Sequence, residues 1–150
     1  METLKRILLV EDDPNDIELT MTALSEHNLA NDVVIVRDGV EALDYVYRRG
    51  AYARRAEGNP VVMLLDLKLP RLGGIQVLKQ VKTDPQLSTL PVVILTSSRE
   101  DRDLNECYKL GVNAYVVKPV RFAEFVQAVK QIGVFWVLIN EPPAGSAQKI

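Results

Sequence analysis

The residues that could do chemistry each stand at the end of a short apolar run of the chain. They are two acids after the first run, one acid at the end of the third, a hydroxyl after the fourth and an amine after the fifth: Glu11, Asp12, Asp66, Thr96 and Lys118. Each of them alone has an ordinary explanation as a helix cap or a solvated charge. If the runs are parallel strands, however, three carboxylates, a hydroxyl and an ammonium meet along one edge of a sheet.

Such a set favours phosphoryl chemistry assisted by a metal ion. Crowded carboxylates raise one another's pKa unless a cation lies between them. Oxygen ligands without His or Cys select a hard ion, and Mg²⁺ also bridges to phosphate. A carboxylate can attack a phosphoryl group, and the ion, an ammonium and a hydroxyl would compensate the developing charge. Gly73 and Gly74 fit neither a Walker A loop nor a dinucleotide fingerprint, so we do not expect the donor to be ATP bound by this chain.

Apolar runs alternate with helical stripes along the chain and predict the elements that position these residues. The runs are 7–10, 33–36, 61–66, 92–95 and 114–117. Runs of this length and composition are typical of strands buried on both faces. Five strands alternating with five helices predict an α/β fold: a flavodoxin-like, doubly wound five-stranded parallel sheet of order 2-1-3-4-5, with an extended fifth helix. In that order the strands that carry Asp12 and Asp66 are neighbours.

Composition limits the kind of protein. The chain has 150 residues, 47% apolar and 25% charged, with a net charge of −2 and one cysteine. These values are ordinary for a folded domain, do not mark a nucleic-acid binder and exclude an internal disulfide. No apolar run approaches the ~20 residues of a transmembrane helix, and the first residues lack the features of a signal peptide. We expect one cytoplasmic domain over residues 1–140, a flexible tail over 141–150, and no nucleic-acid or membrane partner.

Four segments resemble the receiver domain of two-component response regulators. They are Ile-Leu-Leu-Val-Glu-Asp-Asp-Pro at 7–14, Leu-Leu-Asp-Leu-Lys-Leu-Pro at 64–70, Leu-Thr-Ser at 95–97 and Tyr-Val-Val-Lys-Pro at 115–119. Thr96 lies 30 residues after Asp66 (96 − 66), and Lys118 lies 52 residues after it (118 − 66), as in that family. The resemblance covers residues 4–132.

The resemblance implies a role for each site residue. Asp66 is the phosphoacceptor, and Lys118 and Thr96 assist the transfer. The implied ligands of Mg²⁺ are Asp12, Asp66, the backbone carbonyl of Lys68 and, through water, Glu11. Many relatives carry Asp where this chain has Glu11, which affects the water-mediated contact and leaves the direct ligand in place.

The resemblance also implies a conformational switch. Thr96 would close on the phosphoryl group, and Tyr115 would turn inward as Thr96 moves. The Lys118–Pro119 bond is expected to be cis, which only an X-Pro bond adopts cheaply. The donor would be a sensor histidine kinase acting in trans, because a kinase needs an ATP-binding domain in addition to a histidine such as His27. The protein would then be no classical enzyme but a phosphoacceptor with Mg²⁺-dependent self-phosphorylation and autodephosphorylation.

Apolar residues continue beyond the fifth strand at spacings of 3, 4, 3, 4 and 3: Phe122, Phe125, Val129, Ile132, Trp136 and Ile139. This seam predicts one long helix from about residue 121 to 138 or beyond, ending before Pro142. Its apolar surface exceeds what one such domain covers. We therefore expect a homodimer through helix 4, strand 5 and helix 5, with Phe122, Phe125 and Trp136 at the contact. The alternative is a tail that folds back on its own domain.

The sequence leaves several functions to be compared. The first is a single-domain response regulator that accepts a phosphoryl group on Asp66, since the chain resembles the stand-alone regulators that partner phytochrome-type kinases. The alternatives are a phosphorelay intermediate and a scaffold that acts without phosphorylation. A dehalogenase-type aspartyl phosphatase would need a second Asp two residues after the nucleophile, where this chain has Lys68.

Overall fold

The protein folds as five parallel strands that alternate with five helices. A computed structural model describes residues 3–4, 6–26, 32–119, 121–143 and 148–149. The strands of the main sheet are β1 (Ile7–Val10), β2 (Val33–Val36), β3 (Val62–Leu65), β4 (Val92–Thr96) and β5 (Ala114–Val117). The helices are α1 (Pro14–Ser25), α2 (Gly39–Tyr47), α3 (Gly74–Thr83), α4 (Asp101–Lys109) and α5 (Phe122–Gly133). The predicted alternation is confirmed.

The order of the strands in the sheet is 2-1-3-4-5, as predicted, and every neighbouring pair is parallel. Ile7 of β1 lies opposite Val33 of β2 on one side and Val62 of β3 on the other. The carboxyl ends of β1 and β3 are therefore adjacent. This register brings Asp12 and Asp66 to the same part of the sheet edge.

Alternate residues of each central strand enter two separate cores. Leu8 and Val10 pack with residues of α2, α3 and α4 on one face of the sheet, whereas Ile7 and Leu9 pack with α1 and α5 on the other. All residues of β1, β3 and β4 are buried. Burial on both faces explains why these strands are continuous apolar runs and not alternating ones.

Local capping starts two helices directly after their strands. The Asp13 carboxylate accepts hydrogen bonds from the backbone N–H groups of Asn15 (2.8 Å) and Asp16 (3.3 Å) at the start of α1. Asp38 does the same for Glu41 in α2, at 2.7 Å. These caps satisfy donors that a helix leaves unpaired at its first turn. They also fix where the chain turns away from the sheet edge.

The chain stays helical beyond α5, as the apolar seam predicts, but its winding changes. Residues Val134–Ile139 form a π-helical segment that ends with the N–H of Asn140 donating to the carbonyl of Phe135 at 2.7 Å. The wider turn shifts the buried face, because it adds a residue per turn. Val137 is buried in the α1 and α5 core and Trp136 is half-buried against it, whereas Ile139 is 67% exposed. Part of the tail thus folds back on its own domain.

One predicted dimer contact is wrong for this fold. Phe125 is only 3% exposed and packs in the α1 and α5 core, since the first turns of α5 lie against the sheet. The side chain of Phe122 lies outside the described residues. The exposed apolar side chains of this region are instead Phe135 (45%), Leu138 (60%) and Ile139 (67%).

Two further regions complete the described chain. Between α2 and β3 there is a 3₁₀ turn at Gly50–Tyr52, where the Tyr52 hydroxyl donates to Glu41 at 2.7 Å. Near the chain ends, Thr3–Leu4 pairs antiparallel with Gln148–Lys149, a pairing that the sequence did not predict. Among the described residues, no helix has both the length and the apolar character needed to cross a bilayer.

The first prediction concerns the close approach of α3 to the sheet edge. A Cβ at Gly74 would lie 2.2 Å from the carbonyl oxygen of Asp66, whereas a Cβ at Gly73 would meet nothing closer than 3.9 Å. We expect Gly74→Ala to lower the free energy of unfolding by about 3 kcal/mol, because backbone must move to relieve the overlap. Chemical denaturation measures the change.

Gly73→Ala is the matched control. Gly73 has φ −70° and ψ 159°, a conformation open to alanine, and we expect its substitution to change stability by less than about 1 kcal/mol. Equal losses for the two variants would contradict this account of the packing.

Candidate functional site

The carboxyl edge of the sheet forms an open cleft of about 600 Å³. Four of the predicted site residues line it: Asp12, Asp66, Lys68 and Lys118. The start of α1 and Ser97 complete its described walls. Two further predicted residues, Glu11 and Thr96, do not line the cleft and are buried.

Asp66 is held rigidly at the end of β3. Its backbone N–H donates to the carbonyl of Val10 at 3.1 Å, which extends the pairing with β1 by one residue. Its Oδ1 accepts from the N–H of Leu67 at 2.7 Å, and its Oδ2 lies 3.2 Å from Nζ of Lys118. The carboxylate is thus oriented by backbone on one side and by a cation on the other.

Lys118 provides the positive charge at the centre of the site. Its Nζ donates to Glu11 Oε1 at 2.5 Å and Asp16 Oδ2 at 2.8 Å, in addition to Asp66. Burial lowers the pKa of Lys118, but its hydrogen bonds to Asp16 and Glu11 and the charge of Asp66 outweigh burial and raise the pKa overall. The amine therefore stays an ammonium at neutral pH. Its backbone N–H donates to the carbonyl of Thr96 at 2.7 Å, which aligns the ends of β4 and β5.

Glu11 lies beneath Lys118 and is 3% exposed. Its Oε2 accepts from the N–H groups of Asp12 (3.1 Å) and Asp13 (3.3 Å). Burial raises the pKa of Glu11 to about 7, although Lys118 acts in the opposite direction; the charge of Asp66 adds to the rise. Near neutral pH this side chain is close to the point of losing its proton.

The acids of the cleft are suited to a divalent cation. Glu11, Asp12 and Asp66 each offer one carboxylate oxygen, and these oxygens lie within 4.8 Å of one another. An all-oxygen donor set fits a hard ion, and the exposed Asp12 leaves room for the waters such an ion keeps. Lys68 lines the same cleft, and a role for its carbonyl stays a prediction.

The two predicted switch residues both contact Ser98. The Thr96 hydroxyl accepts from the N–H of Ser98 at 3.4 Å, and the Tyr115 hydroxyl donates to the carbonyl of Ser98 at 3.1 Å. Burial raises the pKa of Tyr115, whose ring already packs against the core of α2, α3 and α4. Ser98 itself donates to Asp103 of α4 at 2.6 Å. Thr96, Tyr115 and α4 are therefore connected through one residue.

The prediction of a cis bond at Lys118–Pro119 is wrong for this structure. The peptide bonds of the described residues are all trans. The trans form is favoured by about 0.5–1 kcal/mol at an X-Pro bond, and with it the Lys118 side chain already reaches its three carboxylates. The position of the ammonium does not need a cis bond.

Sequence reasoning missed two residues of this region, Asp16 and Ser98. An acid in the first turn of a helix is common because the helix dipole favours it, so Asp16 carried no distinctive signal. Ser98 follows the predicted Leu-Thr-Ser segment by one residue, and only the fold shows its contacts. His27 lies outside the described residues.

Comparison with known proteins agrees with the fold. Residues 7–130 match the family described as Response regulator receiver domain. The protein therefore belongs to the receiver-domain family of response regulators. Each of the four family-like segments contains the carboxyl end of a strand of this sheet.

Three relatives are similar over nearly the whole chain. The phosphorylated cyanobacterial phytochrome response regulator RcpA is 40% identical with a TM-score of 0.87, covering 93% of this chain and 99% of its own. The Mn²⁺-bound response regulator Rcp1 is 35% identical with a TM-score of 0.87 and the same coverage; Rcp1 comes from Synechocystis. The bacteriophytochrome response regulator RtBRR is 57% identical with a TM-score of 0.75, covering 95% of this chain and 86% of its own.

The second prediction tests how much the Lys118 ammonium contributes to the free energy of unfolding. In Lys118→Met the buried acids lose their cation, and we expect the free energy of unfolding to fall by about 3 kcal/mol near pH 8. The loss should shrink toward pH 5.5, because the pKa of Glu11, already about 7, rises further and its neutral form needs no cation. Denaturant titrations at the two pH values, without divalent ions, measure the difference.

Lys130→Met is the control for removing a lysine from an ion pair with an acid. Lys130 of α5 contacts Glu26, directly after α1, at 3.0 Å in a partly exposed ion pair, so we expect a change below about 1 kcal/mol at either pH. A Lys118 variant that behaves like this control would contradict a central role for its ammonium.

Proposed function

We propose that this protein is a single-domain response regulator that accepts a phosphoryl group on Asp66 from the histidine of a sensor kinase. The observation that carries the proposal is the placement of the Asp66 carboxylate between the Leu67 N–H and the Lys118 ammonium, at the floor of an acidic cleft. A nucleophile, a counter-charge and oxygen ligands for a cation are thereby in one place.

In the proposed transfer, an oxygen of Asp66 attacks phosphorus while the bond from phosphorus to the donor nitrogen breaks. The electron pair leaves with the imidazole, which takes up a proton. Lys118 lies within 3.2 Å of Asp66 and would donate to the phosphoryl oxygens as charge moves onto them. A bound Mg²⁺ would supply further positive charge, held by Asp12, Asp66, the Lys68 carbonyl and, through water, Glu11.

The same site supports a switch. The phosphoryl group offers acceptors for the Thr96 hydroxyl, which in this structure accepts a long hydrogen bond from the N–H of Ser98. Movement of Thr96 would be passed through Ser98 to Tyr115 and to α4, which together would shift the population toward a partner-binding state. Hydrolysis of the acyl phosphate would return the protein to its resting state. We expect this cycle to run in the cytoplasm.

The third prediction tests the acceptor. Incubation with Mg²⁺ and acetyl phosphate should add one phosphoryl group to the protein, because the Asp66 carboxylate displaces acetate. Intact-mass measurement detects the gain. Asp66→Asn should gain none, and Asp12→Asn should react at least about tenfold more slowly at the same Mg²⁺ concentration because it loses a charged ligand.

Other outcomes would favour other functions. No gain of mass by the wild type would indicate a scaffold that acts without phosphorylation. Rapid turnover of acetyl phosphate would indicate a phosphatase. Onward transfer from Asp66 to a histidine of a second protein would indicate a phosphorelay intermediate.

The sensor kinase is proposed to be of the phytochrome type. Two of the similar proteins, RcpA and RtBRR, are described as phytochrome and bacteriophytochrome response regulators. They match 93% and 95% of this chain. Comparing phosphoryl transfer from phytochrome kinases with transfer from unrelated kinases tests the partner.

We also propose a homodimer through α4, β5 and α5. The support is the row of exposed apolar side chains on the π-helical segment, Phe135, Leu138 and Ile139, together with exposed Tyr108 on α4. Trp136 would support this surface from below, whereas Phe125 belongs to the core. A surface with several large apolar groups is typical of an interaction site.

The fourth prediction tests this dimer. Sedimentation at micromolar concentration should give the mass of two chains for the wild type and of one chain for the double variant Leu138→Asp, Ile139→Asp, because charge would be buried at the contact. Ala51→Asp, at an exposed position of the 3₁₀ turn, is the control and should stay dimeric. A wild-type mass equal to one chain would refute the proposal.

A further inference from the structure

Asp16 is a charged residue of the cleft whose role is unassigned. It lies in the first turn of α1, and its Oδ2 accepts from Nζ of Lys118 at 2.8 Å. The distance from the same nitrogen to Asp66 is longer, at 3.2 Å. Among the described acceptors of this ammonium, Glu11 and Asp66 lie at strand ends, and Asp16 comes from a helix.

Stabilisation of the helix terminus does not by itself require Asp16 to contact Lys118. An acid in the first turn is stabilised by the helix dipole wherever its side chain points. The Asp16 side chain is 27% exposed and is directed at the ammonium of Lys118, whose side chain is 9% exposed. It therefore completes the three hydrogen bonds that one ammonium can donate.

This arrangement has a consequence for the arrival of a phosphoryl group. A phosphoryl group on Asp66 needs the Lys118 protons that Asp16 and Glu11 now occupy. Glu11 is fixed by two backbone N–H groups and cannot withdraw without breaking them. Asp16, at the cleft wall, can turn to solvent. Asp16 is thus the acceptor that can release the ammonium at lower cost.

We propose that Asp16 is a positioning residue that holds Lys118 on the α1 side of the cleft and competes with the phosphoryl group for its ammonium. This inference rests on the proposed function. It also has a consequence that does not depend on phosphorylation, because the Asp16 carboxylate adds negative charge to the cleft that would bind a divalent cation.

Removing the charge should therefore have two opposite effects. Asp16→Asn should bind Mg²⁺ about threefold to fivefold more weakly, since one attractive charge is lost. At saturating Mg²⁺ it should react with acetyl phosphate about threefold to fivefold faster, since Lys118 is freed and one repulsive charge is removed from the path of the anion. A residue that only stabilised the fold would not produce this combination.

The experiment compares the wild type, Asp16→Asn and Asp16→Ala, with Glu18→Gln as the control. Glu18 is an exposed acid on the same helix that does not line the cleft, so its substitution should change neither quantity. Calorimetric titration with Mg²⁺ gives the affinity, and intact mass against time at saturating Mg²⁺ gives the rate. Thermal unfolding shows which variants are folded, and Asp16→Ala provides a second neutral side chain if Asp16→Asn is not.

The outcomes separate the two proposals. Weaker Mg²⁺ binding together with faster phosphorylation in the neutral variants supports the role of Asp16. Unchanged or slower phosphorylation in folded variants, beside a wild type that does react, overturns it. A wild type that gains no phosphoryl group refutes the proposed function instead, and unaltered Mg²⁺ affinity in the variants would then also refute the charge effect of Asp16.

Discussion

The rest of the site depends on one buried ammonium, that of Lys118, among three carboxylates. A buried charge without a partner is costly, and removing one member of such a group leaves the others uncompensated. Because the acids come from β1, β3 and α1 while the lysine follows β5, the cluster is formed only when all four elements are in register. The same contacts that neutralise the charges therefore align the ends of the strands.

The parallel sheet makes this alignment possible. Hydrogen bonds from Asp66 to Val10 and from Lys118 to Thr96 carry the strand pairing one residue beyond the regular ladder. Gly74 then lets α3 approach the Asp66 carbonyl closely. The site is held by backbone, with little freedom left to Asp66, whereas Asp12 is exposed at the mouth of the cleft. Fixed charge at the floor and open space above it suit the proposed exchange of a cation and a phosphoryl group.

Ser98 connects the site to Tyr115 and to α4. This residue is buried, and its backbone and hydroxyl contact Thr96, Tyr115 and Asp103. A small displacement at the end of β4 would thus alter the packing of Tyr115 and the first turn of α4 together. Packed groups of this kind have discrete arrangements, which is a condition for a two-state switch.

Much of the fold and the site could be predicted because the features that determine them are visible in short segments of the sequence. Apolar runs define the strands, Asp13 and Asp38 cap the helices that follow, and parallel strands place their carboxyl ends at one edge. Asp12, Asp66, Lys68 and Lys118 were accordingly expected together, and they line one cleft. For Asp12, Asp66 and Lys118 this inference needs only spacing along the chain and the geometry of a sheet, whereas Lys68 was expected from the resemblance to receiver domains.

The tertiary structure alone decided how far side chains reach and which face they present. Asp16 is indistinguishable in the sequence from any acid that begins a helix, and Ser98 from any loop serine. The even spacing of the apolar seam predicted that Phe125 and Trp136 both lie at the dimer contact. In the structure, the π-helical segment buries Val137 and exposes Ile139. Spacing sets periodicity, whereas contacts between distant segments set burial, pairing and local winding.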